Sequence, residues 1–300
     1  MHETYELPFS LTGVKIPSYK ELPQYMLPDE IQITVGIPVW NRGTKPEVNP
    51  DEAIVRGCVE SILDQNFPKS AYEIVLVDDA SSDDSWDTIV DLCKKHPSYN
   101  IRGYRRPEST TFSPGAPFNI AMTQGVGWIY VFNQPDLVWP TDNFECMWRH
   151  HNSMDSLYLI PRNVGVNAET SGPAEIYINT HQWKQLMSLN LKPWELTHEW
   201  GASIRMKYLQ STRGYDEGIW VEPCDAELFC RLNLCYDILF GTDGDHTTVH
   251  RHVPGIKRGG EGRVNPNHVF APSIDDKNRD GWGVPPDDVV MTTAMVEALE

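Results

Sequence analysis

Two apolar runs rich in β-branched residues, each closed by a polar string and followed by an amphipathic segment, restrict this chain more than any other feature. Ile31 to Val39 reads as a buried strand, and the chain then turns polar at Trp40, Asn41 and Arg42. Over Asp51 to Gln65, the residues Ile54, Val55, Cys58, Ile62 and Leu63 recur at helical spacing, and Asp51 and Glu52 suit the positive start of a helix. Tyr72 to Val77 repeats the strand pattern and ends in Asp78 and Asp79. Ser82 to Lys95 repeats the helical one, with Ile89, Val90, Leu92 and Cys93 on its apolar side. Strand, helix, strand and helix in that order predict an α/β fold: a Rossmann-like, mostly parallel sheet with right-handed crossovers.

The alternation continues with a short helix over Pro117 to Gly125 and a strand over Gly127 to Phe132, which ends in Asn133, Gln134, Pro135 and Asp136. Residues 1 to 30 carry Pro8, Pro17, Pro23 and Pro28 with little periodicity and read as an extended arm. After Asp136 the pattern is irregular and aromatic, with Trp139, Trp148, Trp183, Trp194 and Trp200. Core packing is the expected use of most of these tryptophans. Ala226 to Leu239 reads as helical, the chain beyond about Thr247 as loops, and Asp287 to Leu299 as a final helix. The expected organisation is an arm (1–30), a main domain (31–252) and C-terminal loops with a short helix (253–300). Within the main domain, 31–136 is expected to bind a nucleotide and 137–252 an acceptor.

The chain has 300 residues and a formal net charge of -17. That charge opposes long-range attraction to nucleic acid and to anionic membrane surfaces; Arg102, Arg105 and Arg106 form one candidate basic patch. Of the six cysteines, none forms a C-x-x-C pair, which gives a structural zinc site little support; they read as reduced, mostly buried thiols. There is no signal-peptide pattern over Met1 to Lys20 and no apolar run of membrane length, so a cytoplasmic protein is expected.

In open parallel sheets ligands bind beyond the carboxyl ends of the strands. Three strand ends here are polar: Pro38, Trp40, Asn41 and Arg42; Asp78, Asp79, Ser81 and Ser82; Asn133, Gln134 and Asp136. Any one of them can be a plain turn or helix cap; three at successive strand ends point to a nucleotide site. Neither a P-loop nor a G-x-G-x-x-G follows the first strand, so a bound diphosphate must be met by basic side chains or by a cation. Magnesium or manganese suits carboxylate oxygens. Asp136 is the natural first ligand. His246, His250 and His252 can supply another, or can be solvated loop residues.

These residues also carry a resemblance. Ile33 to Arg42 (ITVGIPVWNR), Ser61 to Gln65 (SILDQ) and Ile74 to Asp84 (IVLVDDASSDD) look like the opening of a family-2-like GT-A glycosyltransferase. Pro114 to Ala121 (PGAPFNIA), Trp128 to Asp136, Gly214 to Glu217 (GYDE) and Asp225 to Arg231 (DAELFCR) resemble its later segments. The resemblance implies an inverting transfer of a sugar from a nucleotide-diphosphate donor, with UDP expected, to an acceptor hydroxyl. Pro38, Trp40, Asn41, Arg42, Asp78, Asp79, Asn119 and Gln134 would contact the donor. Asp136 with His250 or His252 would hold Mn2+ or Mg2+. Asp225, or Glu222, would be the base.

The chain departs from the family pattern in three places. The D-x-D motif reads Gln134-Pro135-Asp136, or Asn133-Gln134-Pro135 in the other register; Cys224 stands where Glu is usual before Asp225; and Pro117-Phe118 stands where Arg is expected before Asn119. The acceptor stays open between a glycan, a small molecule and nucleic acid, the last opposed by the charge. A nucleotidyltransferase and a non-catalytic nucleotide-sugar binder are the competing readings. The first lacks its usual Gly-rich loop; the second is separated by measuring transfer or hydrolysis of a nucleotide sugar.

Overall fold

A computed structural model describes residues 14–45, 49–109, 115–166, 170–193, 201–217, 224–251 and 282–299. Its strands are β1 (Val14–Lys15), β2 (Ile33–Val39), β3 (Thr44–Lys45), β4 (Asn49–Ala53), β5 (Tyr72–Asp78), β6 (Asn100–Arg105), β7 (Ile129–Phe132), β8 (Leu137–Val138), β9 (Leu157–Gly165), β10 (Lys192–Pro193), β11 (Ser203–Arg205), β12 (Leu239–His250) and β13 (Asp288–Met291). Its helices are α1 (Ile54–Leu63), α2 (Ser85–Lys95), α3 (Gly115–Gln124), α4 (Asn143–Ser153), α5 (Ser171–Asn179), α6 (Trp183–Ser188), α7 (Met206–Thr212), α8 (Cys224–Cys235) and α9 (Thr293–Leu299).

The main sheet has 11 strands, in the order β1-β12-β9-β11-β7-β2-β5-β6-β13, with β10 paired to β9 and β8 to β12. Along that path only β11 and β13 run against the rest. The expected α/β, mostly parallel architecture is therefore present. Side-chain alternation sorts the central strands into two cores. Ile74 and Leu76 of β5 and Ile129 and Val131 of β7 join one core with residues of α1, α2 and α4. Val75, Val77, Tyr130 and Phe132 join the other with residues of α3, α7 and α8. On β2 the first face carries Ile33, Val35, Ile37 and Val39. The other face is small at Gly36, where an added Cβ would sit 1.9 Å from the Tyr130 hydroxyl.

Register brings the strand ends to one rim. Val39 pairs with Asp78, and Asp78 pairs with Arg105. β7 follows β2 only as far as Gly36, so Pro38, with no N–H to donate, lies past the end of that ladder.

Several expectations change. Asp51 and Glu52 lie in β4, not in the helix: pairing of Thr44 with Ala53 keeps the backbone extended. The helix starts at Ile54, where the Ile54 and Val55 N–H groups donate to the Gly43 and Arg42 carbonyls. The arm is partly sheet, since β1 pairs in parallel with β12. β6 lies where the sequence showed no strand. Residues after Asp136 are far more regular than the sequence suggested: β9 and β12 share eight aligned residue pairs on either side of a register slip. β12 runs on to His250, beyond the expected start of loops, and the first half of the expected last helix is instead β13, an edge strand beside β6. No helix among the described residues is long and apolar enough to cross a membrane.

The candidate basic patch is not a free surface. Arg102 is buried between Glu73, at 2.5 Å, and the Gln124 carbonyl. Arg105 lies 3.6 Å from Asp78, and Arg106 pairs with Asp79. Glu73, near the start of β5, also accepts from the Thr34 hydroxyl and the Val126 N–H, both at 2.6 Å, so this buried carboxylate has partners on both oxygens. The described cysteines are free thiols. Cys58, Cys93, Cys146 and Cys230 are buried and Cys235 is exposed. Trp139, Trp148 and Trp183 are buried in the core, as expected of tryptophan; Trp194 and Trp200 lie outside the described residues.

Candidate functional site

The loops that follow β2 and β5 are laced together. Asn41 adopts a left-handed backbone, φ 48°, a conformation Asn tolerates better than most residues. Its N–H donates to the Ser81 hydroxyl at 2.9 Å, and its side-chain oxygen accepts from the Ser82 N–H at 2.9 Å. Arg42 N–H donates to Ser85 at 2.8 Å, Gly43 N–H to Asp83 at 3.1 Å and Thr44 N–H to Asp84 at 2.8 Å. Ser81 to Ser85 therefore hold the first loop in place, which is the turn-and-cap use of Asp and Ser. Asp78 and Asp79 differ from them. Both are buried, Asp79 paired with Arg106 and accepting from Ser109 at 2.9 Å. Burial pushes the Asp78 carboxyl above its usual range, against the opposing pull of Ser81 and Arg105. A cleft of about 730 Å³ opens beside them, lined by Ala80, Ser81, Arg105 and Arg106 on one wall and by Pro285 and Pro286 on the other.

At the third strand end Asn133 and Asp136 separate in role. Asn133 is buried. Its amide donates to the Cys58 sulfur at 3.1 Å, and its oxygen accepts from the Trp139 indole at 2.9 Å. Gln134 is half-buried and its carbonyl accepts from the Cys58 thiol at 3.5 Å. Burial pushes that thiol up to about 12, so it stays protonated. Asp136 turns toward Arg42, whose guanidinium is 3.5 Å away, and toward His250, whose Nε2 is 3.7 Å away. The cause is a long-range pairing: β8 runs antiparallel to the end of β12, with Leu137 opposite His250. The Asp136 carbonyl also accepts from the Arg251 N–H at 2.9 Å. Arg251 is buried, paired with Glu175 and donating to the Ile54 carbonyl at 3.1 Å, so α1, α5 and β12 are tied directly behind Asp136.

The structure thus brings Trp40, Asn41 and Arg42 to one rim with Asp78, Asp79, Gln134, Asp136 and His250. Pro38 sits just below, inside β2. His252 and Glu222 lie outside the described residues. His246 is not in a solvated loop. It is fully buried, away from this rim, and burial lowers its imidazole to about 3.

Asn119 sits apart from the strand ends. It is buried, with its amide donating at 2.8 Å to both the Tyr215 carbonyl and Glu217, and its oxygen accepting from the Tyr215 N–H at 2.7 Å. It fastens the GYDE segment to α3. Gly214 there has φ 62°, and an added Cβ would lie 2.2 Å from the Asn119 oxygen, so both backbone angle and space require glycine.

Asp225 lies half-buried in the first turn of α8. Glu227 and Arg231 on the same helix are four residues apart, a spacing equally common for surface pairs, but they are buried. Arg231 Nε is 2.5 Å from Glu227, and its two Nη atoms donate to the Thr212 and Gly214 carbonyls. Loss of one partner would strand the other charge in the core. Glu227→Gln is expected to cost about 3–5 kcal/mol of stability, read as a lower denaturation midpoint. Glu227→Leu combined with Arg231→Met should cost less than the single change.

Comparison with known proteins gives this arrangement a context. The profile described as "Glycosyl transferase family 2" matches residues 34–210. A poly(ribitol-phosphate) beta-glucosyltransferase of Bacillus spizizenii is 32% identical over 106 residues, 35% of this chain and 15% of that protein. A dolichyl N-acetyl-alpha-D-glucosaminyl phosphate 3-beta-D-2,3-diacetamido-2,3-dideoxy-beta-D-glucuronosyltransferase of Methanococcus voltae is 33% identical over 86 residues, 28% of this chain and 24% of that protein. The matches thus span less than a quarter of the length of either relative. Among solved structures, S. aureus TarS 1-349 in complex with UDP superposes with a TM-score of 0.55 at 16% identity, covering 75% of this chain and 61% of that 1-349 chain. The mannosyltransferase PcManGT of Pyrobaculum calidifontis, in complex with GDP-Man and Mn2+, superposes with a TM-score of 0.53 at 16% identity, covering 80% and 63%. The structural likenesses show a shared fold. Because the family profile takes in more than half of the sequence, from β2 through to α7, the chain belongs to glycosyl transferase family 2.

Proposed function

We propose that this chain transfers a sugar from a nucleotide diphosphate, with uridine as the base, to an acceptor hydroxyl with inversion at the anomeric carbon. The observation that carries this reading is the single rim at which Asp78 and Asp79 face Arg105 and Arg106 while Asp136 faces Arg42 and His250. The first group suits the base and ribose, in the cleft beside Ser81. The second suits the diphosphate, and residues 31–136 would hold the donor while 137–252 receive the acceptor, whether a glycan or a small molecule. The UDP held by TarS and the GDP-Man and Mn2+ held by PcManGT support this kind of donor on this fold.

Asp136 and His250 present a carboxylate oxygen and an imidazole nitrogen 3.7 Å apart at the end of the β8–β12 ladder, a donor pair that fits Mn2+ or Mg2+ already carrying phosphate oxygens. When bound, such a cation would neutralise charge growing on the leaving diphosphate. Arg42 adds a fixed positive group on the same side. Asp225 would take the proton of the acceptor hydroxyl as its oxygen bonds to the anomeric carbon. The bond from that carbon to the diphosphate breaks, and the electron pair leaves with the diphosphate.

Calorimetric titration with UDP and GDP in the presence of manganese tests the donor site. UDP should bind, and Asp78→Ala or Asp79→Ala should weaken it by about tenfold or more, the worth of a charged hydrogen bond. Unchanged affinity in both variants would remove these carboxylates from the site.

A further inference from the structure

A second group of ligating side chains lies in the interior, away from the rim. Cys146 and His150 are one turn apart on α4 and therefore share a face. That face meets Asp243 on β12, within the stretch where the register against β9 slips between Thr242 and Thr247. All three are buried, and one ligand atom from each lies within 4.8 Å of the others. His150 Nε2 is 2.8 Å and Cys146 Sγ 3.4 Å from the same Asp243 oxygen. The Tyr19 and Asp245 N–H groups, each at 2.8 Å, hold the carboxylate in place.

The neighbouring His246 is fully buried, yet neither of its ring nitrogens has a hydrogen-bond partner among the described residues. Its imidazole is within electrostatic reach of both His150 and Asp243. A buried imidazole with no partner is costly, and a ligand to one nitrogen relieves that cost.

We propose that Cys146, His150 and Asp243 form a structural site for a zinc-type divalent cation, with the neighbouring unpartnered His246 able to complete it on a side-chain shift. The donor set decides the class. One thiolate, imidazole nitrogen and one carboxylate oxygen match Zn2+ or Co2+, whereas Mg2+ and Ca2+ require oxygen donors. A divalent charge against one thiolate and one carboxylate leaves the interior neutral, as a dry site demands. With every ligand buried, the site is closed and not catalytic. Its ligands join α4 to β12, the strand that ends in His250, and Tyr19 adds the N-terminal segment through Asp243. A bound cation would therefore brace the strand that delivers His250 to the rim. No local pattern marks such a site, because Cys146 and Asp243 are 97 residues apart and no C-x-x-C pair is present.

The test uses the full chain, stripped of metal with a chelator and titrated with Co2+ alone. One equivalent should produce thiolate-to-cobalt absorption in the near ultraviolet and tetrahedral bands in the visible, and should raise Tm, as binding to the folded state requires. Zn2+ should displace the cobalt and abolish the bands. Cys146→Ser and His150→Gln should lose them, while Asp136→Asn, which alters the rim, should keep them. Absence of these bands and of any Tm shift in the wild-type chain overturns the proposal, leaving a hydrogen-bonded cluster only. So do thiolate-to-cobalt bands that persist in Cys146→Ser or disappear in Asp136→Asn.

Discussion

Asp136→Asn is expected to lower kcat/KM with a nucleotide-sugar donor by about 100-fold or more, the usual cost of losing one preorganised group that meets charge as it develops. The same change should weaken manganese affinity, measured as the manganese concentration for half-maximal turnover. Stability should barely move. The position of Asp136 comes from its backbone, through the β8–β12 ladder and the Arg251 N–H, and Asn keeps both. The side chain's own pairings, at 3.5 Å to Arg42 and 3.7 Å to His250, are long and partly solvated, so little folding energy depends on them. Large catalytic loss with an unchanged Tm is therefore the signature of a site residue here. Near-normal turnover in Asp136→Asn would move leaving-group stabilisation to Arg42, and Arg42→Gln would then be the damaging change.

The first βαβα unit was legible because its signals are local. β-branched runs, helical spacing and polar strand ends all fall within about 60 residues, and β2, β5, α1 and α2 lie where those signals point. β6 was illegible for a physical reason. Its sequence, NIRGYR, carries two arginines and a glycine. Arg102 is tolerated inside only because Glu73 on the adjacent β5 neutralises it, and no local pattern shows that partnership. The same cause hid Glu227 and Arg231. Their spacing fits an exposed helix as well as a buried one, and what decides the matter is that the Thr212 and Gly214 carbonyls wait on the other side.

The site was legible to a similar depth. Asp136 was identifiable as the one carboxylate near a degenerate D-x-D motif. Its approach to His250 rests on a pairing between residues more than 100 positions apart, which the sequence suggested only as one choice among three histidines. Asp83 and Asp84 stand beside Asp78 and Asp79 in one polar string. In the structure they bond to the Gly43 and Thr44 N–H groups, so half of a promising acidic cluster serves a turn.

Asp225→Asn is expected to reduce turnover by about 100- to 10,000-fold, the range for loss of a general base, with donor affinity unchanged. The structure narrows the choice of base by burial. Two carboxylates lie in the first turn of α8, Asp225 and Glu227. Glu227 is committed to Arg231 in the core. Asp225 is half-buried, in the first turn of the helix, where the N-terminal end of the backbone dipole favours the ionised carboxylate. An ionised carboxylate is available as a base but a weak one, so its contribution must come from placement against the acceptor hydroxyl. A purely structural role inside the first turn of α8 makes the opposite forecast, because Asn keeps the size and much of the hydrogen bonding of Asp and would leave turnover near normal. Two measurements separate the readings: single-turnover rates with saturating donor, and donor affinity by calorimetry. A slow rate with intact donor binding in Asp225→Asn, alongside a normal rate in Glu222→Gln, assigns the base to Asp225. The reverse pattern assigns it to Glu222 and leaves Asp225 a structural role in the first turn of α8.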